Sequence, residues 1–425
     1  MNIARYYEIF HRLGPGTQKF LKNLSIITVF FALSKVFSSI SMIIVARFLG
    51  SIHLGSATLI ISIANILGIV MQLGMPIALM KYGGARQNPD KEVATSFFVV
   101  STASCVILLF TWLLKDHIIQ NFDLHPNDIF WILGYAVLFT YYQLLTTIYQ
   151  AYHDFKRRGI VELAFSVLLL PGLLIGHWLF SGNYETMLTA YILSLGVLIP
   201  FMVWRYRALI SLKLLSASTI KRMSQYGFIA MLSNSGFIMV MLIQPLQIER
   251  VLGEGGLGVF RVYSNGSINM AAFITGVFYA VFFPKVSASV NKSAIWLRAV
   301  QAWKRACIPL FLVFAVLTTA IVWLSGADEY PLEWYYVTLA ALVALLITVQ
   351  ATFGQMIGSQ GIVGARWGVI TSTFSGIVSI LATHWLLPVY GLAGAFMALV
   401  ITFGIHLLVT LSLKSVIEIS EQEVQ

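Results

Sequence analysis

Two cations lie within otherwise apolar segments, and they are the residues best placed to do chemistry. Lys35 lies well inside the apolar run that begins near residue 22, roughly 20 Å along a helix that rises 1.5 Å per residue. That depth is close to the middle of a bilayer, where a cation costs at least about 2.5 kcal/mol. Lys35 should therefore face a wet cavity or an anion. Since the centres of the predicted spans contain no acidic residue, the sequence predicts an anionic ligand.

Polar residues accompany both cations. Ser38 and Ser39 follow Lys35 at the i+3 and i+4 spacing that puts them on its helix face. Arg261 lies about one turn into a later apolar segment and precedes a polar run that includes Asn265. We predict these residues to bind substrate. For Arg261, an alternative is that its side chain snorkels to the membrane surface.

Amide side chains form a second, less specific set. They either line a hydrophilic lumen suited to sugar hydroxyls or form hydrogen bonds between helices, at about 1 kcal/mol each. The set comprises Asn234, Gln244, Gln247, Gln350, Gln355 and Gln360. We take Gln244 as a candidate binding residue. His177 and His384 are candidate proton carriers, although a buried, hydrogen-bonded histidine is the more common case.

Enzymatic chemistry is not indicated. The sequence has no phosphate-binding loop, no metal-ligand spacing and no nucleophile paired with a base, so we predict no catalytic residue, metal or cofactor. Cys105 and Cys307 lie in or beside apolar segments and are expected to pack there as small residues.

The composition requires a membrane. Hydrophobic residues make up 58% of the chain, charged residues 10%, and the mean hydropathy is +0.84, whereas soluble domains carry roughly 25% charge. Because backbone exposed to lipid must bond within its own helix, the spans should be helical. The net charge of +10 does not indicate nucleic acid, since most cations fall in alternate connections, which places both termini in the cytoplasm.

The pattern predicts an all-α polytopic protein with twelve transmembrane helices. The predicted spans are 22–48, 54–80, 92–114, 128–150, 159–180, 184–204, 225–248, 257–283, 303–325, 332–357, 364–386 and 390–413. The predicted units are an interfacial segment 1–21, a six-helix lobe 22–204, a cytoplasmic linker 205–224, a second six-helix lobe 225–413 and a cytoplasmic tail 414–425. Glycines 354, 358, 361 and 364 are expected at close helix contacts or hinges.

The two lobes carry a repeated turn. The motif Arg-x-Leu-Gly-x-x-x-Leu-Gly occupies residues 47–55 and returns at 250–258, an offset of 203 residues. Six spans separate the copies, and an even number means that both cross the membrane in the same direction. The lobes are therefore predicted to be parallel repeats related by an axis along the membrane normal, as in two-lobe transporters.

These features resemble the polysaccharide transporter family, which includes the O-antigen flippases and shares a superfamily with the multidrug/toxin exporters (MATE). The resemblance rests on the twelve spans, the repeated turn, Phe-Phe-Pro-Lys at 282–285 and Leu-Pro-Val-Tyr-Gly-Leu-Ala-Gly-Ala at 387–395. It implies a MATE-like two-lobe fold in a bacterial inner membrane. It also implies alternating access that moves an undecaprenyl-diphosphate-linked oligosaccharide to the outer leaflet.

The hypothesis is that Lys35 receives the diphosphate and that Arg261 assists its passage outward. Candidate partners are the lipid-linked glycan, membrane lipids and the glycan polymerase and chain-length regulator proteins, with no nucleic acid. Three alternatives remain. A cation-coupled multidrug exporter would need intramembrane Asp or Glu, and a membrane glycan polymerase or ligase would need a large outer loop. The third alternative is a scaffold without transport.

Overall fold

The computed structural model describes residues 15–84, 86, 88–209, 211–233, 236, 239–276, 292–326 and 328–414. Seven helices make up the first half of the described chain. They are α1 Pro15–Gln72, α2 Met75–Gly83, α3 Asp90–Leu113, α4 Lys115–Asn121, α5 Asp128–Ala151, α6 Phe155–Phe180 and α7 Glu185–Tyr206.

Six helices make up the second half, after two short 3-10 turns. They are α8 Ala217–Ser233, α9 Gln244–Gly266, α10 Lys292–Ser325, α11 Trp334–Gly358, α12 Gly361–Tyr390 and α13 Leu392–Ser412. A π turn at Met239–Ile243 leads into α9, and residues 268–276 continue as helix after a break at Ser267.

The predicted multi-pass helical fold is confirmed. Nine helices of the described residues are long and apolar enough to cross a membrane. One of them, α1, bends at Gly50 and supplies the first two predicted spans. The seventh and eighth spans correspond to α8, α9 and residues 268–276, which are interrupted and more polar.

Some of the sequence predictions concern residues outside the described ranges, and one boundary differs from the prediction. Residues 1–14, Asn234 and the Phe-Phe-Pro-Lys motif at 282–285 lie outside the described residues. Residues 15–21, which we predicted to belong to an interfacial segment, already form the start of α1.

The repeated turn has the same backbone conformation in both lobes. Gly50 has φ 70° and ψ 177°, and Gly253 has φ 70° and ψ −178°. Glycine adopts this conformation readily because it has no Cβ. Each glycine therefore interrupts the helical conformation at the junction between two predicted spans.

The second glycine of each motif explains why the two turns meet. A Cβ on Gly55 would lie 1.8 Å from the carbonyl oxygen of Glu254, and a Cβ on Gly258 would lie 1.9 Å from that of Ser51. Ser51 and Glu254 are themselves equivalent positions of the repeat. The contact is thus reciprocal, as around a twofold axis, and the predicted parallel repeat is confirmed.

Further bonds close this end of the molecule, which the charge distribution predicts to be the outer one. Arg47 Nε donates to the Leu324 carbonyl, and the Tyr330 hydroxyl donates to the Ala46 carbonyl at 3.1 Å. Ser51 donates from both its backbone nitrogen and its hydroxyl to Glu329 Oε2, each at 3.2 Å. The first lobe is therefore bonded to the second on this side.

At the opposite end, α8 packs on the first lobe. A Cβ on Gly74 would lie 1.9 Å from the Gly227 carbonyl oxygen. The buried Glu92 carboxylate lies 3.2 Å from both Arg86 and Arg222. Since Arg222 belongs to α8, this cluster joins α8 to the start of α3.

Candidate functional site

The two intramembrane cations line one cavity between the lobes. It has a volume of about 230 Å³ and lies between α1, α6 and α7 of the first lobe and α9 with residues 268–276 of the second. Lys35, Ser38 and Ser39 contribute from α1, while Arg261 and Asn265 contribute from α9. The structure thus brings together five of the six residues predicted from the sequence to bind substrate.

Helical spacing explains this convergence. Arg261 and Asn265 are four residues apart on α9, so they share one helix face, and Asn269, beyond the break at Ser267, lines the same cavity. Lys35 and Ser39 are related in the same way on α1. Arg261 lies close enough to Lys35 for the two cations to repel each other.

Two buried donors in the cavity have no partner in the part of the chain that the structure describes. Arg261 Nε and Asn265 Nδ2 are buried and have no hydrogen-bond partner within the described ranges. Asn269 Nδ2 donates to Asn265 Oδ1 at 3.3 Å, which occupies the acceptor of that amide. Donors without partners, together with ammonium and guanidinium groups, favour an oxygen-rich anion.

The remaining walls are mostly apolar, which strengthens the electrostatic attraction of any bound anion. Side chains of α6 and α7 form most of this surface, including Phe165, Leu169, Leu173, Met187 and Tyr191. In such surroundings the effective dielectric constant falls well below that of water, so charges attract more strongly.

One carboxylate near Lys35 was missed in the sequence. Glu162 attracts both Lys35 and Arg158, and its carboxylate lies beside the buried hydroxyl of Tyr142. The predicted span 5 starts at residue 159, which puts Glu162 only one turn from its end. For this reason we did not count Glu162 among the residues near the middle of a span. In the structure α6 begins at Phe155, which places Glu162 two turns into the helix. Its i+4 spacing from Arg158 was the available signal.

Glu162 does not form a salt bridge with Lys35. The described part of the chain places no carboxylate oxygen within 4.0 Å of Lys35 Nζ. Lys35 is therefore only partly compensated. The backbone of Glu162 is tied to α1, since Ser34 Oγ donates to the Glu162 carbonyl at 3.1 Å and lies 2.7 Å from Ser166 Oγ. These bonds tie α1 to α6 next to Lys35.

The sixth predicted residue lies elsewhere. Gln244 is buried at the start of α9, and its Nε2 donates to the Ala395 carbonyl at 2.9 Å. Gln247 donates in the same way to the Ile380 carbonyl at 3.3 Å. Both amides therefore join helices, as the alternative from the sequence predicted, and Gln244 does not line the cavity of Lys35.

The predicted proton carriers also lie elsewhere. His177 and His384 are exposed on the outside of the described helices, and neither lines the cavity. Sequence reasoning overlooked His406, which lies 3.0 Å from Gln350 Nε2. Both line a second cavity, of about 520 Å³, whose described lining comes from the second lobe except for Ile77 of α2.

Comparison with known proteins identifies the family. Residues 44–330 match the family described as polysaccharide biosynthesis protein. The chain belongs to this family. The matched range covers well over half of the chain and includes Arg261 and Asn265, while Lys35 precedes it. No curated protein sequence matches the chain.

Solved structures of membrane transporters have the same fold. An inward-facing multidrug resistance MATE family transporter of the MOP superfamily matches with a TM-score of 0.68 and 16% identity, covering 95% of this chain and 99% of that one. The lipid II flippase MurJ, in an inward closed conformation, matches with a TM-score of 0.64 and 14% identity, covering 91% and 87%. The predicted MATE-like two-lobe fold is therefore confirmed.

Proposed function

We propose that this protein is a flippase that moves an undecaprenyl-diphosphate-linked oligosaccharide across a bacterial inner membrane by alternating access. The cavity that joins Lys35 and Arg261 between the lobes carries this proposal. Membership of a polysaccharide biosynthesis family and a fold shared with a lipid II flippase support it. The substrate is a surface-polysaccharide repeat unit, such as an O-antigen unit.

The physical problem in such transport is the diphosphate. It carries about two negative charges and cannot enter hydrocarbon without compensation. Lys35 and Arg261 supply two cations, and Arg261 Nε and Asn265 Nδ2 supply buried donors with no other partner within the described ranges. Lys35 receives the head group, and Arg261, on the opposite lobe, holds it as the lobes rearrange.

The contacts between the lobes fit this cycle. The reciprocal Gly55 and Gly258 contact closes the predicted outer end, so access to the cavity from that side requires the lobes to separate there. The polyprenyl chain stays in the lipid throughout, because burying it in protein is not needed to shield charge. No bond of the substrate is made or broken.

Glu162 is the one feature that would suit a cationic drug, as in a multidrug exporter. However, Glu162 attracts Lys35, and the buried donors at the cavity that lack partners within the described ranges favour an anion over a cation. The anionic substrate is therefore favoured.

The test is export in the native host. We expect deletion to leave the lipid-linked oligosaccharide on the cytoplasmic leaflet and wild-type protein to restore surface glycan. Lys35→Glu should abolish export at normal membrane abundance, while the control Lys115→Glu, which reverses the same charge at a lysine above Trp112 and outside the cavity, should export normally. Full export by Lys35→Glu, or drug sensitivity with normal glycans, would contradict the proposal.

A further inference from the structure

The second cavity differs from the first in its chemistry. It has about 520 Å³, more than twice the volume of the cavity of Lys35, and it lies between α8, α11, α12 and α13. None of its described lining residues is Lys, Arg, Asp or Glu. An anionic head group would therefore find no counter-charge among the described residues that line it.

Neutral polar groups line this cavity. Gln355 is 7% exposed, and its buried Oε1 has no hydrogen-bond partner within the described ranges. The buried Thr275 hydroxyl has none there either. Gln350 Nε2 lies 3.0 Å from His406 Nε2. Gln355 Oε1 and the Thr275 hydroxyl are therefore buried polar groups at this cavity that a ligand can satisfy.

The rest of the wall is apolar and includes the rings of Tyr226 and Phe403. Amides and hydroxyls set among aromatic and aliphatic groups match a ligand with polar edges and C–H faces. Space is kept open by glycines: a Cβ on Gly358 or Gly368 would meet no atom within 4 Å.

The two cavities share one helical segment. Asn269 lines the cavity of Lys35, and Thr275, six residues later, lines the second cavity. Six residues span about 9 Å of helix. A ligand with an anionic and a neutral part could therefore occupy both cavities at once.

We propose that the second cavity binds the sugar residues of the lipid-linked substrate while Lys35 and Arg261 hold its diphosphate. This inference rests on the proposed function and adds to it the site that recognises the glycan. A polyprenyl chain is the other conceivable occupant, but it would leave Gln355 Oε1 and the Thr275 hydroxyl buried without a partner.

Glycine substitutions test the site without removing any bond. A Cβ on Gly368 or on Gly404 would meet no atom within 4 Å, but only Gly368 lines the cavity, so Gly368→Leu should fill it and Gly404→Leu is the control. Leucine favours helix more than glycine does, so both variants should fold. Gln355→Leu is a second variant, which removes the free acceptor at similar volume.

Binding to protein in nanodiscs is measured with two probes: undecaprenyl diphosphate and the lipid-linked oligosaccharide extracted from the host deletion strain. We expect Gly368→Leu and Gln355→Leu to weaken binding of the glycan-bearing lipid at least tenfold and to leave undecaprenyl diphosphate unaffected. Gly404→Leu should match wild type with both probes.

Three outcomes would overturn the inference. Equal weakening of both probes would assign the cavity to the polyprenyl chain, and unchanged binding of both would assign it no substrate. In either case the proposed function stands if wild type binds undecaprenyl diphosphate and Lys35→Gln does not. If wild type binds neither probe, the proposed function fails together with this inference.

Discussion

At the scale of single residues, the cavity of Lys35 combines cations with a nearby carboxylate. Two cations, Lys35 and Arg261, line it, and Glu162 attracts both Lys35 and a further cation, Arg158. Arg158 also lies over the Phe31 ring, with 5.5 Å between its Cζ and the ring centroid. A carrier must release what it binds. If the proposed diphosphate binds here, Glu162 offers Lys35 an internal anion when the diphosphate leaves.

The first prediction concerns this carboxylate. Glu162→Gln removes its charge at nearly constant shape, so Lys35 and Arg158 lose their competing anion. We expect undecaprenyl diphosphate to bind about tenfold more tightly, which corresponds to about 1.4 kcal/mol, and glycan export to slow because release slows. Binding in nanodiscs and export in cells measure the two effects.

The control for Glu162→Gln is Tyr142→Phe, which removes the neighbouring hydroxyl and leaves the charge in place. It should bind as wild type does. Weaker binding by Glu162→Gln would show that the carboxylate acts mainly by holding the cations in position.

At the scale of elements, the glycine motif is a packing device. Gly55 and Gly258 let the two helix pairs approach at backbone distance. We expect Gly55→Val to destabilise the protein by about 1–3 kcal/mol, the usual range for overpacking, and to reduce export, because the outer end can no longer close. Thermal unfolding in detergent measures the stability.

Gly196→Val is the matched control for Gly55→Val, since a Cβ at Gly196 meets no atom within 4 Å. It should unfold near the wild-type temperature. A Gly55→Val protein with normal stability and normal export would disprove the packing role of the motif.

A second prediction at this scale concerns the joint between α8 and α3. Glu92 is buried and bonded to Arg86 and Arg222, whose side chains are nearly half exposed. Because solvent screens both arginines, we expect Glu92→Gln to cost only about 1–2 kcal/mol of stability. The control Asp154→Asn affects an ion pair with Arg157 within one turn and should cost less. Equal losses in the two variants would argue against a joint at Glu92.

The elements also show what could be predicted from sequence. The spans and the repeat were predictable because hydropathy and the glycine turn are local signals. The carboxylate near Lys35, Glu162, was not predicted. Helix α6 starts four residues before the predicted span, and this places Glu162 deeper in the helix than expected. Nor could sequence separate Gln244, which bonds to Ala395 of another helix, from Gln350 and Gln355, since helix neighbours are set by tertiary packing. The role of the cavity residues remains a prediction.

At the scale of the whole molecule, charge influences which end is open. Asp123 belongs to the first lobe, and Glu249 and Glu254 belong to the second, near its repeated turn. Burial, followed by repulsion from Glu254 and Asp123, raises the pKa of Glu249, and Arg250 opposes the shift. Closing the predicted outer end brings Asp123 of the first lobe close to Glu249 of the second, so the closed arrangement favours the protonated form of Glu249.

The sign of the pH effect follows. Because the closed state holds the Glu249 proton more tightly than an open state in which the lobes are apart, lowering the pH should populate the closed state. We expect spin labels at Gln120 and Trp334, which are both exposed, to report shorter distances at pH 5.5 than at pH 7.5. The native Cys105 and Cys307 are replaced by serine for this pulsed-EPR measurement. Glu249→Gln should shift the pH 7.5 distances toward those at pH 5.5 and reduce their pH response, and a longer distance at low pH would contradict the mechanism.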